Sequence, residues 1–251
     1  MIRILFSPSE DKRVGGEKSR FSAENFIFPE LFSFREEIFS KYLDFVRNSD
    51  NEALSKIFGF KNIGEIEKHR AQLEEGRLLR AIQRYDGVAY QYLGFDKLEK
   101  AAQEYIVRNT IIFSNIFGPI GAGDLVPSYK LKQGESFNSL KIEDHYKKYF
   151  SPRLDEELQE AFVLDLRAGF YDKFYKPNKI YTTMKFLING KVVSHYAKAY
   201  RGLILKEIAK ANINSKDEFM NMNIDGLQIL EIKRSASKEE LVFDVEPSVK
   251  Y

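Results

Sequence analysis

The chain has 251 residues, 43% of them hydrophobic and 30% charged, with a net charge of +2. That is a globular composition able to bury a large core as one domain. It has no cysteine and no tryptophan, which excludes disulfides, thiolate nucleophiles and cysteine metal sites, and no apolar run reaches the roughly 18 residues of a membrane span. Met1 to Ser7 reads as a short apolar run followed by charge and not as a signal peptide, so the expectation is a cytoplasmic protein with no membrane partner.

Residues 2–6 read as a buried strand, ended by Ser7-Pro8 and followed by a flexible Val14-Gly15-Gly16 loop. Residues 34–47 put Phe34, Ile38, Tyr42, Phe45 and Val46 on one helical stripe. A short helix is expected at 52–58 and a long charged one at 63–84. Asp96 reads as the cap of a helix running to 108, and 110–113 as a central strand. Residues 162–166 read as another strand. Residues 179–187 and 192–196 flank Asn189-Gly190, the signature of a β-hairpin. Helices are expected at 200–211 and 216–222, and closing strands at 227–232 and 240–245. Without repeats, low-complexity tracts or a Gly/Pro-rich linker, the expected class is α/β (mixed α+β). The architecture is a single domain over 1–251, with a mixed sheet, flanking helices and a positively charged cleft.

The charge is unevenly spread. Residues 165–216 carry eleven lysines and arginines against three acids, a local +8 that leaves −6 for the rest. Such a field points to an anionic partner such as phosphate or nucleic acid, although lysines that only solvate the surface give the same count. Within it, Ser194-His195-Tyr196-Ala197-Lys198-Ala199-Tyr200-Arg201-Gly202 sets Lys198 and Arg201 three apart on one helix face. They fall near a helix start whose free N–H groups attract anions; a solvated basic face is the alternative.

Four more segments sit where chemistry is expected. Ser7-Pro8-Ser9-Glu10-Asp11-Lys12 follows the first strand, where α/β folds place ligands. In Tyr85-Asp86-Gly87-Val88-Ala89-Tyr90 the glycine either offers backbone N–H groups to a phosphate or stops a helix. The block 114–131 holds three glycines with Asp124, Tyr129 and Lys130, and matches neither a Walker loop nor a dinucleotide fingerprint. Asp165-Leu166-Arg167-Ala168-Gly169-Phe170-Tyr171 lies at another strand end. His69, His145 and His195 form no Glu-x-x-His set of a di-iron bundle, so no metal or other cofactor is expected.

Taken in order, these segments resemble the YaaA family of peroxide stress proteins: the P-S-E-x-K start, the Y-x-G-x-x-Y segment, the S-x-x-F-G…G-D-L…P-x-Y-K-L block, L-R-x-G-x-Y and A-K-x-x-R-G. The resemblance spans residues 4–243 and departs from the family pattern at Glu10 and Asp165. It implies an unusual α/β fold with a positively charged cleft, and binding to DNA through a helix-hairpin-helix element placed by position at 64–108. It also implies a part in surviving hydrogen peroxide by limiting iron-dependent damage. Two function classes follow. In one, Lys12, Asp86, Gly87, Tyr90, Lys130, Lys198 and Arg201 hold the phosphates of double-stranded DNA or a nucleotide. In the other, an enzyme acts on a nucleotide, nucleobase or damaged DNA, with Asp124 or Asp86 as acid/base and Tyr129 or Ser7 on the substrate. Convergence of Ser7, Asp124, Tyr129, Lys198 and Arg201 in a deep pocket favours the enzyme; their spread along an open groove favours binding.

Overall fold

Apolar runs too short to be amphipathic helices become the strands of one large sheet, and their order creates a crevice. The computed structural model describes residues 1–245, apart from the side chains of Ser194 and His195. The remainder of the 1–251 expectation and the His195 side chain therefore lie outside the described residues. The sheet runs in the order Leu227–Arg234, Lys238–Val245, Tyr181–Ile188, Phe162–Asp165, Ile2–Phe6, Thr110–Ser114, Gly118–Gly121. The five inner strands are parallel, and an antiparallel strand closes each edge. Ile2, Ile4, Leu5 and Phe6 are buried, as is every residue of Thr110–Ser114. That continuous burial is what a parallel strand covered on both faces requires. The fold is thus mixed α/β, as the residues predict.

From Ile2–Phe6 the chain reaches Thr110–Ser114 on one side and later Phe162–Asp165 on the other. Neighbouring strands whose onward connections diverge leave a gap at their C-terminal ends, the place where open α/β sheets bind ligands.

Several elements differ from the sequence expectation for identifiable reasons. The helix expected over 63–84 ends at Glu74. Gly76 follows at φ 61, and Arg77–Arg80 becomes a strand between Glu17–Lys18 and Leu125–Pro127. Asp96 lies in a 3-10 turn, and Glu99 precedes the helix Lys100–Asn109 instead. The 17-residue helix Ile142–Leu158 contains Pro152, the residue that hides a helix from sequence reading. Gly118–Gly121, read as turns, is a buried edge strand. The Asn189-Gly190 turn does form, with φ 50 and 75, but its second strand is only Lys191–Val192 and the helix Ser194–Lys210 starts at once. Lys198 and Arg201 therefore lie in its second and third turns, beyond the free amides of its first.

Arg84 fixes the loop after the first strand. Its buried guanidinium donates to the carbonyls of Arg13, Gly15, Arg77 and Val126, and the Arg13 N–H returns a bond to its carbonyl.

Candidate functional site: a cleft at the strand ends

A cleft of about 450 Å³ opens beyond the ends of Ile2–Phe6 and Phe162–Asp165. Its walls are the loop from Ser7 to Asp11, the segment from Gly87 to Gln91, the strand-end residues Leu166, Ala168 and Tyr171, and the helix side chains Lys198 and Arg201.

Each wall is tied to the next. Ser7 Oγ accepts from the Ala168 N–H at 2.8 Å, and the Tyr90 hydroxyl donates to the Ser7 carbonyl at 2.8 Å. The Tyr171 hydroxyl donates to Asn115 Oδ1 at 3.1 Å. Asp11 and Lys12 pair with Asp86 and Tyr85 in a short antiparallel ladder. Gly87 caps the helix Val88–Leu93 at φ 136 and ψ 176, a conformation essentially reserved for glycine, and the Ser9 side chain fills the space a Cβ would take. Asp86 Oδ1 accepts from the Gly87 N–H at 2.8 Å, so this carboxylate serves the turn. A Cβ at Gly202 would overlap the carbonyl of Ala89. The glycine after Arg201 thus lets the backbones of Ser194–Lys210 and Val88–Leu93 touch.

The charges in the cleft are unequally committed. Asp11 pairs with Lys130 Nζ at 3.2 Å, and Glu10 Oε1 accepts from the Gln133 N–H at 2.9 Å. Lys198 is exposed. Arg201 is largely buried and has no hydrogen bond or ion pair to any described residue; burial works against its charge, with Asp165 opposing that effect. Asp165 is itself spent: its Oδ1 accepts from Arg167 Nε at 2.9 Å and its Oδ2 from Nη2 at 2.7 Å. Among the described residues Arg201 is left with five donors and no matched counter-ion.

The other expected site residues lie elsewhere. Lys12 does not line the cleft. Its Nζ donates to the carbonyls of Ser9 at 3.0 Å and Glu10 at 3.3 Å and sits 3.9 Å from the centre of the Tyr129 ring. Burial, with Lys130 nearby, holds its pKa well below the ordinary lysine value. Lys130 donates to the same Glu10 carbonyl at 3.2 Å, so both lysines brace the loop from beneath. The Tyr129 hydroxyl is buried between Ser114 Oγ at 2.9 Å and the Tyr85 hydroxyl at 3.0 Å. Asp124 accepts from the N–H groups of Ile27 at 3.1 Å and Gly121 at 2.8 Å and borders a separate depression beside Arg80; burial raises its carboxyl to about 7. The expected five-residue convergence therefore divides. Ser7, Lys198 and Arg201 meet, joined by Gly87 and Tyr90, whereas Asp124 and Tyr129 are turned to the fold.

The basic segment is also less free than its count implies. Arg167 is consumed by Asp165, and Lys179 caps the carbonyls of Leu158, Gln159 and Ala161. Lys210 pairs with Glu207 and Lys216 with Glu239. Sequence reasoning quoted Gly202 without giving it a role and passed over Gln133 and the spent state of Asp165. Gly202 had a signal, since a glycine inside a helical pattern implies close packing. Among the described residues no three His, Asp or Glu side chains are grouped to hold a metal, and no helix is long and apolar enough to cross a membrane.

Residues 2–232 match the family described as peroxide stress protein YaaA. An uncharacterized protein of Campylobacter jejuni is 45% identical over 244 residues, covering 97% of this chain and 99% of that protein. A UPF0246 protein of Corynebacterium efficiens is 30% identical over 219 residues (82% and 84% coverage), and one of Streptomyces coelicolor is 27% identical over 214 residues (82% of each). By the extent of the match and these identities, the chain belongs to the YaaA family of peroxide stress proteins.

Proposed function

We propose that this chain protects against peroxide by binding DNA through the strand-end cleft, with Arg201 and Lys198 on backbone phosphate. The observation that carries the reading is the partly buried Arg201 side chain, since Asp165, the acid that acts on its charge, is already bound to Arg167. A half-buried cation without a protein partner gives up part of its hydration, and an incoming anion makes good that loss. Arg presents a planar fork suited to phosphate oxygens, and Lys198 adds a mobile second charge. The helix–turn–helix run Ala81–Arg84, Tyr85-Asp86-Gly87, Val88–Leu93 serves as the hairpin element that brings one backbone to these cations.

Limiting iron-dependent damage follows from the same contacts. A protein that neutralises phosphates expels the cations condensed on them, and ferrous iron held at the backbone is one such cation. Binding is favoured over catalysis because Asp124 and Tyr129 point away from the cleft.

Anisotropy of a labelled duplex at about 50 and 200 mM salt tests the proposal. Affinity is expected to fall steeply between them, and Lys198→Ala to lower the salt slope by about one. Absence of binding at the lower salt, or indifference to salt, overturns it.

A further inference from the structure

The cleft is the wrong size for a track and the right size for a seat. Its volume of about 450 Å³ lies within the roughly 300–1,000 Å³ of small-ligand sites, so a paired duplex meets it only at the mouth, through backbone phosphate. Its lining is also of two kinds. Lys198 and Arg201 supply charge, while Pro8, Leu166, Ala168 and the edges of the largely buried Tyr90 and Tyr171 supply apolar surface. Hydrogen-bonding capacity is divided in the same way. The lining carboxylates and both tyrosine hydroxyls are engaged within the protein. Among the described residues Arg201 and Lys198 have no bonded partner, and the Ser7 hydroxyl, which accepts from Ala168, still has its own proton to give. At the rim Gln133 uses its backbone N–H on Glu10, and its side-chain amide has no bond to a described residue.

We infer that the cleft holds one nucleotide unit, its phosphate on Arg201 and Lys198 and its base against the apolar lining of Pro8, Leu166 and Ala168. The inference rests on the DNA-binding reading and narrows it. Within a strand, the bound nucleotide has to be unpaired. Extruding a paired base costs a few kcal/mol, and an already unpaired one costs least. The cleft therefore prefers a bulged or strand-end nucleotide to a continuous duplex.

Two measurements on the full chain test this. Calorimetry with deoxynucleoside monophosphates is expected to give saturable binding that inorganic phosphate alone does not match and that Arg201→Ala abolishes. Anisotropy is expected to show a duplex with one bulged nucleotide binding about tenfold tighter than the same duplex fully paired. Ala168→Phe, which fills the cleft, is expected to remove that preference and the heat of monophosphate binding. Equal affinity for bulged and paired duplex, together with no heat from the monophosphates, overturns the single-nucleotide seat. In that case salt-dependent binding of the paired duplex still upholds the broader reading, whereas loss of all DNA binding sinks both. Should Ala168→Phe fail to fold, the monophosphate measurement on the unaltered chain decides.

Discussion

Arg201 is the residue on which most depends, and its replacement by lysine separates charge from shape. Arg201→Lys keeps the positive charge but loses the planar fork and the reach to two phosphate oxygens. Duplex affinity is expected to fall about tenfold, or roughly 1.4 kcal/mol, with the melting temperature within a few degrees of the parent. Anisotropy and a thermal melt read the two quantities; unchanged affinity returns Arg201 to packing alone. Gly87 behaves differently. Its φ of 136 and the Ser9 hydroxyl beside it make Gly87→Ala cost about 1–3 kcal/mol of stability, read by denaturant unfolding. Adding Ser9→Ala is expected to recover the steric part and leave the backbone strain. Ser7, Gly87, Tyr90, Lys198 and Arg201 were legible in the sequence because each sits beside a strand end, a glycine or a charge partner at fixed spacing. Asp124 and Tyr129 were not. Both follow strands in a glycine-bearing block, and sequence does not say whether such a side chain turns toward a cleft or back onto the fold. Here Asp124 turns back to two backbone amides and Tyr129 to two hydroxyls.

At the scale of elements, the parallel strands were readable from runs such as Ile2–Phe6 and Thr110–Ser114, since burial on both faces leaves no polar alternation to confuse them. The helix Ile142–Leu158 was not, because Pro152 interrupts an apolar stripe that otherwise recurs at every fourth residue, Ile142, Tyr146, Phe150, Leu154 and Leu158. The single 63–84 helix failed at Gly76, whose left-handed φ breaks the helix and lets Arg77–Arg80 pair with Leu125–Pro127. The contact between Val88–Leu93 and Ser194–Lys210 carries the prediction at this scale. Gly202→Ala forces the Ala89 carbonyl away and is expected to cost about 2 kcal/mol or more, as overpacking of a tight interface does. Gly169→Ala meets open space and is expected to be neutral or slightly stabilising. Thermal melts of the pair make the comparison; equal behaviour would show that the two helices are not held by that contact.

Across the whole molecule, two buried titratable groups give the stability–pH curve opposing slopes. His69 lies against Phe58 and Phe60 with its Nε2 unpartnered, and burial lowers its pKa to about 4. The unfolded chain takes up a proton near 6.5 while the fold refuses it, so His69 stabilises above that pH and loses up to about 3 kcal/mol as pH falls toward 4. Asp124 works the other way. Its folded pKa is raised to about 7, so its contribution is greatest at low pH and is lost as pH rises from about 4 to 7. His69→Phe is expected to remove the acid-side loss and Asp124→Asn the loss on raising pH, each seen in urea midpoints at pH 4.5, 5.5 and 7. A parallel shift of the curve without a change of slope counts against either assignment. Net charge by segment was the least transferable reading at this scale. The +8 of residues 165–216 already subtracts Asp165 and Glu207, the partners of Arg167 and Lys210, but it still counts Lys216, which pairs with Glu239 outside the segment, and Lys179, which is tied to backbone carbonyls.

The touching backbones at Gly202 and Ala89 also bear on how fast the cleft is entered. One helix carries Arg201 and the other carries Tyr90, whose hydroxyl is anchored to the Ser7 carbonyl. Jaws welded at the hinge do not swing, so ligand meets a mouth that is already open. Association is then governed by diffusion and electrostatic steering, with no isomerisation step ahead of it. Observed rates should rise linearly with ligand concentration and show no plateau.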